Sequence, residues 1–370
     1  MPIHRHRNTP HGRLIQTMLR TLVVGLGRAG AGLHVPVLLR VRRRHPRLFA
    51  PGAILAVDPD RAASAEAGAT GRAELALVAS LADARRQLAP EQTVVHVCTP
   101  PIGRVEVVGE LLDLGFRRLV VEKPLAGRPG DLAPLVQLVR RSGAQVAVVA
   151  PWLASSLTDR LAALVAGADR NGLGALREIS VIQHKPRFRR SLTTHGHPTA
   201  FDIEVPHALG VVLRLAGDAE VSDAAWTDLL LGGHHLPALG SARLGLTHRG
   251  GVRSDIFSDL TSPVRERRIT LHFDRGTAIG HFPGNSDDEY AQLRVTGATP
   301  TGTEVFPDDS LSAFMVRAYT RLLAGSSFEE DFAGHVRAVE LLVHAKQLAA
   351  SGHCPPPPGL RQDEELSHAR

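Results

Sequence analysis

The sequence predicts an α/β protein: a doubly wound parallel sheet in its N-terminal part, then an α/β domain with an open, mostly antiparallel sheet. Three observations lead there. From Thr21 to Trp152, short apolar runs alternate with helix-compatible stretches, the pattern of parallel strands joined by crossovers. A glycine-rich turn closes the first of those runs. Beyond residue 151, alternating runs follow one another directly, which suits antiparallel pairing. The 370 residues, 43% hydrophobic and 22% charged, are enough for more than one core.

The first run, "TLVVGLGRAG" (residues 21–30), joins a strand to Gly25, Gly27 and Gly30 and then to a helix-compatible segment reaching residue 44. Gly25 permits a tight turn, Gly27 lets backbone approach a pyrophosphate, and Gly30 lets the helix pack close to the sheet. With Arg28 and Ala29 these glycines make a candidate phosphate-binding loop of a Rossmann domain. The second strand, "AILAVD", ends at Asp58, where an acid holds the ribose hydroxyls of NAD, while Arg61 would soften the preference against NADP. The cofactor expected is therefore NAD, or NADP.

"TVVHVCTPP" from Thr93 is a strand closing in a turn at Thr99 and Pro100, and "RVEVVGELLDLG" is the helix after it. Another strand, "RLVVEKP" from Arg118, a further helix, and "AQVAVVAPW" from Ala144 complete the series. Ligands of such sheets gather beyond the carboxyl ends of the strands, where Glu122, Lys123 and Pro124 stand.

After residue 151 come a helix through "LTDRLAALVAGA", a strand in "REISVIQHKPRF" and a helix from Pro206 to Leu215. Alternating runs follow in "SARLGLTHRG", "RERRITLHFD", "GTAIGHFP" and "AQLRVTG". Two helices, "DSLSAFMVRAYTRLLAG" and "FEEDFAGHVRAVELLVHAKQLAASG", close the body. The expected division is a disordered basic leader over 1–20, a dinucleotide-binding domain over 21–150, a substrate-binding domain over 151–350 and a disordered tail over 351–370.

The net charge of +6 owes four charges to Arg5, Arg7, Arg13 and Arg20, so the body is near neutral. "RVRRRHPR" has no interleaved aromatics and reads as a solvated helix end, which argues against nucleic acid. There is no secretion signal and no run of 18 apolar residues, which argues against a membrane and for a cytoplasmic protein. Two cysteines are too few for a disulfide framework. His184, His195 and His197 lack a third ligand at convincing spacing, so no metal is expected. Their segment reads as a polar loop by the substrate cleft, basic enough to meet an anionic group.

Of the 43 Lys+Arg positions only Lys123, Lys185 and Lys346 are lysine. A chain that writes arginine elsewhere writes lysine in "VVEKPLA". Pro124 biases Lys123 toward an extended backbone, which directs its side chain. Lysine can shift its pKa and donate to a substrate oxygen as that oxygen changes charge, whereas arginine does not titrate. Trp152 could stack on a sugar ring or fill the junction between domains.

"GLGRAG", "AVDPD", "CTPP" and above all "VVEKPLA" resemble the Gfo/Idh/MocA family of glucose-fructose oxidoreductases and inositol dehydrogenases. The resemblance continues in "GLGALREISV", "PHALGVVLRLAG" and "FAGHVRAVELLVHAKQLAASG". It implies a Rossmann domain, NAD(P), hydride exchange with a sugar or cyclitol-like molecule, and homo-oligomers formed through the open sheet. It also implies that His207 is the proton-handling histidine, since it precedes Gly217 by ten residues. The family's acid four residues earlier is Ile203 here, which leaves Asp202 or Glu204 to orient His207, with Asp202 preferred. Gly210 replaces another usual acid, and Arg104 a usual histidine. A non-catalytic dinucleotide-binding sensor and an imine reductase remain alternatives at this point.

Overall fold

The computed structural model describes residues 18–58, 74–168, 170–193, 197–285, 288–297 and 302–352. The leader to residue 17, Arg61, His195 and the tail from residue 353 lie outside the described residues. Strands β1 (Arg20–Val24), β2 (Ile54–Val57), β3 (Leu75–Leu77), β4 (Thr93–Val97), β5 (Arg118–Val121) and β6 (Gln145–Val148) form one parallel sheet. Its order is β3-β2-β1-β4-β5-β6, so the direction of winding reverses between β1 and β4. Alternate side chains of the strands go to opposite faces. Leu22, Val24, Leu119 and Val121 enter one core, and Val23, Val94 and Val120 the other. Burial on both faces is why these strands read as unbroken apolar runs.

Helices α1 (Val35–Arg44), α2 (Leu81–Gln87), α3 (Arg104–Asp113) and α4 (Pro129–Ser142) follow the chain through this sheet. A wide helical turn, Gly30–His34, leads into α1.

The second sheet holds β7 (Leu176–His184), β8 (Ala219–Trp226), β11 (Ser241–His248), β12 (Arg253–Asp259), β13 (Glu266–Phe273), β14 (Gly276–His281), β15 (Tyr290–Thr296) and β16 (Glu304–Pro307). They lie in the order β16-β15-β14-β13-β7-β12-β11-β8, and only β7 with β12 is parallel. A separate antiparallel pair joins β9 (Leu229–Leu231) to β10 (His234–Leu236). Of the helices α5 (Ser156–Ala166), α6 (Phe188–Thr193) and α7 (Val205–Ala216), the last buries Val205, Ala208, Leu209, Val212 and Leu215 at helical spacing. That stripe packs with Ile179 and Val181 of β7 and fixes how the chain enters α7.

Helices α8 (Ser310–Leu323) and α9 (Glu329–Ala350) end the fold. The sequence division assigns α8 to residues 151–350, yet its Met315, Ala318, Tyr319 and Leu322 lie in a core of the first sheet. Tyr319 hydrogen-bonds Thr21 at 2.8 Å and His96 at 3.0 Å there. With α8 the chain returns to its N-terminal sheet.

Candidate active site

The glycine loop after β1 and the turn after β4 meet where the winding reverses, the crevice in which such sheets take ligands. Gly25 has φ +92°, and a Cβ there would lie 3.0 Å from the Thr99 nitrogen. Gly30 is tighter still, its Cβ falling 1.8 Å from the Gly25 carbonyl oxygen. At Gly27, by contrast, a Cβ would meet nothing within 4 Å. Two glycines thus build the turn, and the third leaves its outer side clear for a phosphate. Asp58 accepts a hydrogen bond from the Leu26 N–H, which ties its carboxylate to the loop. Arg28 is exposed beside Gly27, and Ala29 is half-buried. The Thr99 hydroxyl is buried with no hydrogen-bond partner among the described residues. A cradle with open backbone, an acid and an unused hydroxyl fits a dinucleotide.

Arg104 is 1% exposed and joins two of these turns. It donates to the carbonyls of Thr99 at 2.7 Å, Glu122 at 2.7 Å and Leu125 at 3.4 Å, and also to Pro124. The sequence marks it as a departure from the family pattern; the fold uses it to anchor the Glu122–Leu125 turn. Glu122 faces inward, bonded to His34 at 2.8 Å, and His34 meets His96 at 2.9 Å. Burial works against its ionisation, but the His34 hydrogen bond and the Lys123 and Arg104 charges hold the carboxyl below its usual range. One Glu122 oxygen belongs to this buried chain, and the other accepts from the Lys123 N–H at 3.2 Å.

Three consecutive residues before α7 gather all three lysines of the protein. Lys346 Nζ donates to Asp202 at 2.8 Å, Lys123 Nζ to the Ile203 carbonyl at 3.0 Å, and Lys185 Nζ to Glu204. Burial lowers the pKa of Lys123, with Glu204, Glu122 and Asp202 opposing the shift. Glu204 also has Arg267 at 3.6 Å. Although burial disfavours its charge, Lys185 and Arg267 bring its pKa down to about 2, so it is a fixed anion.

His207 is half-buried, and its ring makes no hydrogen bond among the described residues. Burial and then the Lys123 charge hold its pKa well below the usual value, against the pull of Glu204. The imidazole is therefore neutral and free to bond a ligand. Asp202 spends its oxygens on Lys346 and on the Thr199 N–H and hydroxyl, at 3.1 and 2.7 Å, while Glu204 is the carboxylate that acts on His207. Trp152 does not offer an open face to a sugar. It is buried, stacked on Phe282 at 4.0 Å, with the His207 ring at 5.8 Å, and so packs the histidine in place. Position 210 faces the Leu153 side chain, an apolar neighbour for any acid placed there.

Residues 19–150 match the family model described as "Oxidoreductase family, NAD-binding Rossmann fold", named GFO_IDH_MocA. This part of the chain is similar to the Gfo/Idh/MocA domain. The family is one of NAD(P)-dependent oxidoreductases, and the cofactor is NAD(P). No curated protein matches this chain in sequence. Among solved structures it is similar to a 3-ketoreductase from Actinomadura kijaniata, with TM-score 0.71, 15% identity, and 90% of this chain and 98% of that one covered. That enzyme was crystallised with NADP and TDP-benzene. A putative NADPH-dependent oxidoreductase from Desulfitobacterium hafniense gives TM-score 0.73 at 14% identity, covering 91% and 96%. UDP-N-acetylglucosamine 3-dehydrogenase from Acidithiobacillus ferrooxidans gives 0.67 at 16%, covering 90% and 98%. These likenesses show that the fold extends beyond the Gfo/Idh/MocA domain into the second sheet. Among the described residues no helix is long and apolar enough to cross a membrane, and no His, Cys, Asp and Glu side chains cluster as metal ligands do.

Sequence reasoning singled out Lys123 and His207 but not Lys185, Lys346, Arg267 or Arg187. The rarity of lysine was a usable signal for the first two. For Arg187 the basic segment around it was a signal of the right place but not of the residue, and for Arg267 there was none, because arginine is everywhere in this chain.

Proposed function

We propose that the protein is an NAD(P)-dependent oxidoreductase acting at a hydroxyl or ketone carbon of a sugar or cyclitol-like molecule. The observation that carries this reading is the meeting of Lys123 Nζ and the neutral His207 ring around the Asp202–Glu204 turn. The division of labour proposed is cofactor binding by residues 21–150 and substrate binding mainly by residues 151–350. A bound nicotinamide would supply the hydride exchange with the substrate carbon. Lys123, held at the strand end by the Arg104-anchored turn, donates a hydrogen bond to the substrate oxygen. His207, neutral beforehand, takes the hydroxyl proton on a ring nitrogen in oxidation and returns it in reduction. Glu204 balances the charge His207 gains, since it stays ionised among Lys185 and Arg267. Asp58, just after β2, would hold the adenosine ribose, which favours NAD over NADP.

The likeness to a UDP-N-acetylglucosamine 3-dehydrogenase supports a carbohydrate substrate. The test is a panel of sugars, cyclitols and nucleotide sugars with their keto and amino forms, followed by nicotinamide absorbance with NAD and NADP. Saturable turnover on a hydroxyl or keto compound is expected. Turnover on the amino or imino forms alone would assign imine chemistry instead, and cofactor binding without turnover on any compound would leave a binding protein.

A further inference from the structure

We infer that the substrate carries an oxyanion, a carboxylate or a phosphate, and that Arg187 and Ser191 receive it beside Lys123; this deepens the oxidoreductase reading and rests on it. Two buried arginines make the case by contrast. Arg104, 1% exposed, is surrounded by carbonyl oxygens that accept from its guanidinium. Arg187 is 2% exposed, and its Nε and both Nη atoms have no hydrogen-bond partner among the described residues. A buried cation without a counter-charge is costly, and a fold keeps one where something else is to bind it.

The surroundings are built for an anion. Ser191 lies one helical turn on, its N–H bonded to the Arg187 carbonyl at 2.8 Å, so the two side chains share a face. Ser191 is also 2% exposed, with its hydroxyl unpartnered among the described residues. His197 has a buried, unpartnered Nδ1; burial and the Lys123 and Arg187 charges push its pKa down to about 4, so it is neutral there. Arg190 is likewise pushed down to about 10 by burial and by Arg28 and Arg187. The acid that acts on these arginines, Glu204, is already bonded to Lys185 and faces Arg267. At the end of β7 the Gln183 amide, 1% exposed, has both its oxygen and its nitrogen unused among the described residues. Arg187 lies close enough to Lys123 for its charge to lower the lysine's pKa, which sets the oxyanion near the reacting carbon.

The test loads the protein with NADH, filling the cofactor's own phosphate sites, and titrates inorganic phosphate and acetate by calorimetry. Saturable binding of one of them is expected, phosphate indicating a phosphorylated substrate and acetate a sugar acid. Arg187→Met should weaken that binding about tenfold or more while NADH affinity stays within about threefold. It should also raise the melting temperature, because it removes an unpaired buried charge. Ser191→Ala should weaken the same anion about two- to tenfold, and it decides the matter if Arg187→Met does not fold. The inference is overturned if neither anion saturates or if both variants bind as the wild type does. It is also overturned if Arg187→Met costs more than about tenfold in NADH affinity, which would give Arg187 to the cofactor's pyrophosphate. Calorimetry needs no turnover, so anion binding in a protein that turns over nothing would sink the oxidoreductase reading alone. Turnover of neutral sugars without anion binding would sink this one alone.

Discussion

Lys123 occupies a position where charge and shape make separate demands. The turn that carries it is held by Arg104, and its ammonium reaches the Ile203 carbonyl across the cleft. Arginine keeps the charge, but its fork neither fits that reach nor titrates. Lys123→Arg and Lys123→Ala should both keep the fold and most NAD(P) affinity, and both should lose about tenfold or more in kcat. A Lys123→Arg enzyme turning over at the wild-type rate would show that charge alone was needed. His207 makes a second residue-scale prediction. Its replacement by Ala should cost about 10² to 10⁴-fold in kcat with cofactor binding intact. Burial and Lys123 hold the ring well below the usual value, so in the oxidation direction kcat/KM should show no limb near pH 6.5. A limb there would mean that the imidazole titrates as though exposed. The sequence showed that lysine is rare but not why. The lysines' partners lie 80, 19 and 144 residues away, and only the fold brings them together.

At the scale of elements, the glycine loop separates folding from binding. Gly30→Ala puts a methyl against the Gly25 carbonyl, so the turn itself must move. It should destabilise the protein by about 1–3 kcal/mol or more and abolish cofactor binding. Gly27→Ala meets no protein atom within 4 Å. It should leave the melting temperature within about 2 °C and yet weaken NAD(P) by at least about tenfold, because the methyl stands where a phosphate approaches. Thermal melts beside NADH titrations read both, and equal stability losses would refute the distinction. The same scale explains what could be read beforehand. The parallel strands β1, β2, β4, β5 and β6 were legible because both their faces are buried, whereas the half-buried to exposed β3 was not. Strand β12 was not, because its buried positions are Ser254, Ile256 and Ser258, two of them polar, which hides the alternation.

At the scale of the molecule, burial of histidines makes stability depend on pH. His96, His197, His207 and His335 are all lowered, by burial first, the second and fourth of them to about 4. Unfolding returns each to about 6.5, so below that pH the unfolded chain binds more protons than the folded one. Stability is therefore full above about pH 6.5 and falls as pH drops toward 4. Glu204 acts later: its contribution is full above about pH 4.3 and is lost as pH falls toward its folded value of about 2. Urea midpoints measured from pH 7.5 to 5 should decline below pH 6.5, and a flat series would refute the buried neutral histidines. The whole-molecule arrangement was the least legible, because the return of α8 to the first sheet rests on Tyr319 meeting Thr21, 298 residues earlier.

The convergence of Lys123, Lys185 and Lys346 on residues 202–204 also makes this protein chemically unusual. Every side-chain amine it has stands around one turn, so an amine-acylating reagent reaches nothing else on its side chains. The burial that lowers the pKa of Lys123 and Lys185 also raises their share of reactive free amine near neutral pH. The unaltered protein thus carries its own reporter, in which the extent of acylation at three positions, read by mass spectrometry, records whether the cleft is occupied.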